Sequence, residues 1–376
     1  MAGYASTLRA TLLHSGDALP ELVQEHLKRV CGSRDRTLKE EVLLTYVPLV
    51  NHVPQAYADF ALDVLRYSPT LGYRETPFER QRLGIVQFGR LFPATPTQGP
   101  FLHLLRTDER EGLRLAHGLA NWAVQQWRRF RQHPRDPADQ AAHDIPIELR
   151  LASGAIELWG DQNVYYWFRG GWPPEALAAA LMGLEVWMEN EIETGRDPAE
   201  LFSTVLEGSQ CVAVLGVCLG IALAYLERCL EAALILLQGP RLWLWDIARF
   251  AADSTPTPRF DPTGEYRWAD EMNAARAKRP QRSRDVRVLA LAYASAGGEL
   301  WQRFEQTVSS WTPEGLLQFE EQLGRAKALD HAREQLDRIR EFALRENYVE
   351  VQGLEGSALT FRPTTHVPRC ATCPVA

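Results

Sequence analysis

Apolar residues recur at three- and four-residue steps along most of this chain, the spacing that gives an α-helix one buried stripe. The clearest case runs from Asp108 to Gln132. There Leu113, Ala116, His117, Ala120, Val124 and Trp127 share a face, while Arg110, Arg114 and Arg128 fall elsewhere. The same periodicity predicts helices over 18–31 and 37–67. Thr37 and Glu40 form a capping box at the head of the second, and Pro48 and Pro54 split or kink it. Thr76-Pro77-Phe78-Glu79 opens another helix, which ends before the proline-rich Phe92-Pro93-Ala94-Thr95-Pro96. Further along, Trp172-Pro173-Pro174-Glu175 opens a helix to about Glu193, and Asp197-Pro198-Ala199-Glu200 caps the next. Thr312-Pro313-Glu314 starts a long one through about Glu346.

Two segments alternate instead of stepping. Ile147, Leu149 and Leu151, then Ile156 and Leu158, flank a Ser153-Gly154 turn and predict a β-hairpin. Tyr348 to Phe361, with Gly353 and Gly356, predicts a second. The polar stretch 133–144 and the proline-rich 254–261 mark boundaries. They divide the chain into an N-terminal helical region (1–132), a hairpin plus buried helical core (145–253), and a C-terminal helical region (262–376) with a short hairpin and a cysteine-containing tail. The predicted fold class is mainly α: an irregular helical bundle or α-solenoid-like array with one or two inserted β-hairpins.

Gly208 to Leu226 carries no charge and reaches the length of a short membrane span. Ser209 and Gln210 open it, Glu227 and Arg228 close it, and glycine and alanine dilute it, so a helix buried in a large helical domain is the better reading. Gly216 and Gly220 there permit close helix contact. The 376 residues hold 41 basic and 48 acidic side chains, a net charge of −7 that argues against a chain coating nucleic acid along its length. The first residues lack a signal-peptide pattern, and six cysteines are too few for a disulfide scaffold. A cytoplasmic protein is expected.

Candidate chemistry is sparse. No Gly-Lys dipeptide occurs, so a standard P-loop is missing, and no G-x-S-x-G or H-E-x-x-H is present. No catalytic set can be assigned, no cofactor is expected, and the balance leans away from an enzyme. His103, His117 and His143 have no local partner; a lone histidine such as His117 on an apolar face is ordinarily a hydrogen-bonded core residue. Glu185, Glu189 and Glu193 share a helical face, which ordinarily means a solvated face and less often a cation site. His366, Cys370 and Cys373 offer an incomplete zinc set, for which a frayed end with free thiols is the simpler reading. Arg276, Lys278, Arg279, Arg282, Arg284 and Arg287 form a basic run that suits a solvated loop or an acidic protein partner better than nucleic acid. Tyr165, Tyr166, Trp167, Arg169 and Trp172 read as a packing joint that leaves some rings exposed as an interaction surface.

Three segments, GPFLHLLRTDEREGLRLAHGLANWAVQQW (99–127), IELWGDQNVYYWFRGG (156–171) and LEGSQCVAVLGVCLGIALAYLE (206–227), together resemble a helical region of very large bacterial ATP-binding proteins of signalling or defence type. The resemblance covers the middle third of the chain and lies outside the nucleotide-binding module. It implies a helical sensor or scaffold portion without ATPase activity. The expected function is a non-enzymatic scaffold or recognition module for protein–protein interaction, possessing no favoured membrane contact. The alternative is a nucleic-acid or zinc-dependent binder using 267–287 and the terminal His/Cys cluster.

Overall fold

The computed structural model describes residues 20–69, 82–132, 143–169, 173–254, 264–319, 324–353 and 356–363. It is mainly α-helical, with two small antiparallel hairpins. Four helices open it: α1 (Pro20–Cys31), α2 (Arg36–Leu44), α3 (Tyr46–His52) and α4 (Pro54–Leu65). The expected helix over 37–67 is thus three. Its head also lies earlier, because the Asp35 carboxylate, not Thr37, accepts the free N–H of Leu38 at 3.1 Å. Pro54 opens α4, where a missing N–H costs nothing. The opening at Thr76 lies outside the described residues.

α5 (Phe101–Thr107) leads into α6 (Glu109–Gln132), which buries the stripe read from the sequence, including Leu113, Ala116, Ala120 and Val124. The first hairpin, β1 (Ile147–Leu151) and β2 (Gly154–Leu158), pairs Ile147 with Leu158. A short α7 (Gln162–Tyr165) and the tight turn Tyr166–Arg169 deliver the chain to α8 (Glu175–Glu193). α9 (Pro198–Leu206) carries its predicted cap, with Asp197 accepting from the Glu200 N–H at 2.9 Å. Replacing Asp197 with alanine is expected to lower stability by about 1 kcal/mol in urea unfolding, the usual cost of an N-cap.

α10 (Val212–Ala224) forms the innermost layer, apolar all round and buried from Val212 to Leu223. It packs on α8, on α7 and on the Tyr166–Arg169 turn. α8 in turn covers α5 and α6, and α6 covers α4. Thirteen residues span about 20 Å, well short of a bilayer core of roughly 30 Å. No described helix is long and apolar enough to cross a membrane.

The chain returns through α11 (Leu226–Cys229), α12 (Pro240–Asp253), α13 (Arg267–Ala277), α14 (Val286–Ala296) and α15 (Gly298–Ser309), of which α11 and α14 pack on α10. The long helix expected from Thr312 does not form. Pro313–Leu316 makes one tight turn, and the chain then extends so that the Gln318 carbonyl accepts from the Ile145 N–H at 2.9 Å. Only after Gly324, whose left-handed backbone (φ 78°) a side chain would strain, does α16 (Arg325–Arg340) begin. The second hairpin, β3 (Tyr348–Gly353) and β4 (Gly356–Phe361), pairs Tyr348 with Phe361 as expected. Buried residues from all three predicted regions belong to one hydrophobic core, running from Val23 to Tyr348.

Candidate functional site

α8 is apolar on nearly every side, from Ala176 to Met188, so an acidic residue in its middle has no wet face to occupy. Glu185 is completely buried and Glu189 nearly so. This overturns the expectation of a solvated acidic stripe. A buried carboxylate is tolerable only when paired and hydrogen-bonded, and the basic run supplies the partners. Arg276 and Arg282 both pair with Glu185, the latter at 2.6 Å to each oxygen. The Gln281 amide donates to Glu185 at 3.2 Å and to Glu189 at 2.8 Å, and Arg279 reaches Glu189 at 3.2 Å. Further out, Glu193 accepts from the Tyr225 hydroxyl at 2.6 Å.

The basic run is therefore not a free cationic face. Arg284 donates to the Leu223 carbonyl at 2.8 Å, and Arg287 pairs at 2.6 Å with Asp285, which also caps α14. Lys278 is the member left exposed without a described pairing role. Electrostatics follow the geometry. Burial raises the Glu185 carboxyl, but Arg282, Arg276 and Arg169 outweigh it and hold the group down to about 2. Burial draws Arg282 down to about 10, which leaves it protonated at neutral pH. Glu189 is raised, by burial and then by its neighbour Glu185.

A second tier adjoins the first. Arg169 grips Asp253 with two nitrogens, at 2.9 and 2.8 Å, and Arg249 links Asp253 (2.8 Å) to Asp246 (2.7 Å). Asp246 also accepts from the Tyr165 hydroxyl at 2.9 Å and from the Val286 N–H at 2.8 Å. The residues nominated as an interaction surface are largely this joint. Tyr165 and Trp167 are buried, Tyr166 is half-buried and Arg169 points inward; Trp172 lies outside the described residues. Exposure is ruled out for Tyr165 and Trp167, while Tyr166 stays partly exposed: Tyr165 packs edge-on to Phe168 at 5.8 Å and beside Trp245 at 6.0 Å.

The histidines have separate duties. His103 bonds Asn51 at 2.9 Å, and buried His117 bonds the Val205 carbonyl at 2.9 Å, with burial lowering its pKa and keeping it a neutral donor. His143 is exposed. His366, Cys370 and Cys373 lie outside the described residues. Among the described residues, no group of three or more His, Cys, Asp and Glu side chains could hold a metal ion.

One feature escaped sequence reasoning. An open cleft of about 900 Å³ lies between α1, α4 and the start of α6. Leu27, Val53 and Phe60 give it an apolar floor, and Asp59, Asp63 and Glu111 line its sides. Asp59 and Glu111 share Arg114, at 2.7 and 2.6 Å. Cys31 also lines it, and burial and the neighbouring Asp63 push its thiol up to about 12. The only sequence trace of the cleft is Asp59 and Asp63, one helical turn apart on apolar α4. A scan against protein-family models finds no match for this chain, and a search of curated proteins finds none.

Proposed function

We propose that this chain is a non-enzymatic helical recognition module that binds a protein partner in the cleft between α1, α4 and α6. Its setting, following the resemblance of its middle third, is a bacterial signalling or defence assembly in the cytoplasm. The observation that carries the reading is the division of labour between polar groups. The ionisable residues that look chemical in the sequence, Glu185, Glu189, Arg276 and Arg282, are spent on one another inside the fold. The open cleft offers a greasy floor with a polar rim instead, the anatomy of a protein-binding patch. Its one thiol is held protonated. The nucleic-acid alternative loses its main support, because Arg276 and Arg282 are turned inward onto Glu185 and Arg279 is paired with Glu189.

The test is affinity capture by the tagged chain, compared with a variant carrying Gln24→Arg and Asp63→Arg. Both side chains are exposed on the cleft rim, so the thermal midpoint should hold. Partner recovery is expected to fall about tenfold, the effect of losing one well-placed contact. Undiminished capture by the variant, or no capture by the wild type, would overturn the proposal.

A further inference from the structure

We propose that α13, with Arg279 just beyond it, is a releasable strap over the acidic stripe of α8, and that the stripe accepts an arginine-bearing segment of a partner protein once the strap lifts. This concerns a different face from the α1–α4–α6 cleft, and it stands or falls separately.

The strap shows what the stripe binds. Arg276, Arg279 and Arg282 recur every third residue, and they meet Glu185 and Glu189, which recur after four. Arg276 and Arg282 take Glu185, while Arg279 takes Glu189. Guanidinium suits this duty because its planar array of donors can satisfy two carboxylate oxygens at once, which lysine cannot do. The ligand chemistry is thus already present on the page, supplied by the chain itself.

Attachment is graded from inside to outside. Gln281 and Arg282 are buried and act as a fixed plug. The Arg276 side chain is 13% exposed and that of Arg279 is 47% exposed. Of the eleven residues of α13 itself, only Ala269 is buried, and Trp268 is 44% exposed. At its leading end, Tyr266 meets Phe92 edge-on at 5.2 Å, and Thr97 touches the Met272 sulfur at 3.7 Å. A helix with so little apolar burial is held chiefly by its charges: the Arg279–Glu189 pair is half-exposed and adds little net stability, and release of the more buried Arg276 leaves Glu185 still paired with Arg282. Such an element opens at low cost while the core stays closed. Opening leaves Glu189 and one side of Glu185 facing water, beside the Tyr225 hydroxyl and Glu193, with Arg282 still seated beneath.

The experiment uses the full chain with Arg276→Gln and Arg279→Gln. Amide hydrogen exchange over 267–279 is expected to quicken about tenfold while α8 and α10 keep their protection. A synthetic peptide of residues 274–284 should bind this variant and not the wild type, and the same peptide with glutamine for every arginine should bind neither. If the double variant does not fold, Arg279→Gln alone is expected to move exchange over 267–279 and peptide binding in the same direction by a smaller amount, since Arg276 stays on Glu185. Unchanged exchange, exchange that rises equally across α8 and α10, or a peptide that binds both proteins or neither would overturn the proposal.

Discussion

A leucine at position 216 is expected to destabilise the protein by about 3 kcal/mol, the upper end of the usual cost of overpacking a core. Even a methyl group has no room. A Cβ at Gly216 would sit 2.6 Å from Phe168 Cε1 and 2.9 Å from Tyr165 Cε2. Both rings are buried, and Tyr165 is pinned by its bond to Asp246, so neither can swing into solvent. The result should be a fall of several degrees in the thermal midpoint, read by calorimetry. Gly220, one turn on, supplies the control. Its added Cβ would meet Glu185 Oε1 at 3.7 Å and Phe168 Cε2 at 4.0 Å, ordinary contact distances. Gly220→Ala should therefore be neutral, or stabilising by up to about 1 kcal/mol through helix propensity. Equal behaviour of the two glycines would mean that α10 is not seated on the Tyr166–Arg169 turn.

That turn illustrates how far local pattern reaches. The buried stripe of α6, the β1–β2 hairpin and the cap at Asp197 depend on neighbours a few residues away and are legible in the sequence, although the hairpin turn falls at Ala152-Ser153, one residue before the expected Ser153-Gly154, so that Gly154 pairs with Leu151. The apolar segment 212–224 is legible as well, because a stretch without a polar face has to be enclosed. The predicted helix from Thr312 fails for a different reason. Its start is claimed at Gln318 by a backbone partner at Ile145, far back in the chain, and no window of twenty residues contains that fact. The acidic stripe fails likewise: Glu185 meets Arg276 and Arg282 across 91 and 97 residues. A signal did exist. Leu184, Val186, Trp187 and Met188 surround Glu185, so the helix offers no wet side for a charge, and a buried acid implies a cation elsewhere. The cleft, by contrast, exists only where three separate helices meet, and nothing short of their packing reveals it.

Glu185→Gln is expected to give the largest loss, about 3–5 kcal/mol, because it strands a buried cation rather than merely deleting a bond. Arg282 would keep its charge at 6% exposure, with its Nε and Nη1 groups already lacking partners in the fold. The penalty belongs to the orphaned partner, so removing both should be milder. A Glu185→Leu, Arg282→Met double variant is expected to recover most of the loss in urea unfolding. The pH dependence separates charge from packing. The Glu185 carboxyl lies at about 2 in the fold against an ordinary 4.5, so its contribution is complete above 4.5 and is lost as pH falls from there towards 2. Glu189 works in the opposite sense, since its carboxyl is raised in the fold and its protonation at falling pH relieves a cost. The stability gap between wild type and Glu185→Gln should therefore be widest near neutrality and narrow steadily below about pH 4.5, as the wild-type carboxyl itself becomes neutral. A gap that stayed constant down to about pH 3 would assign the loss to shape rather than to charge, and would remove the electrostatic account of how the segment 276–282 is held.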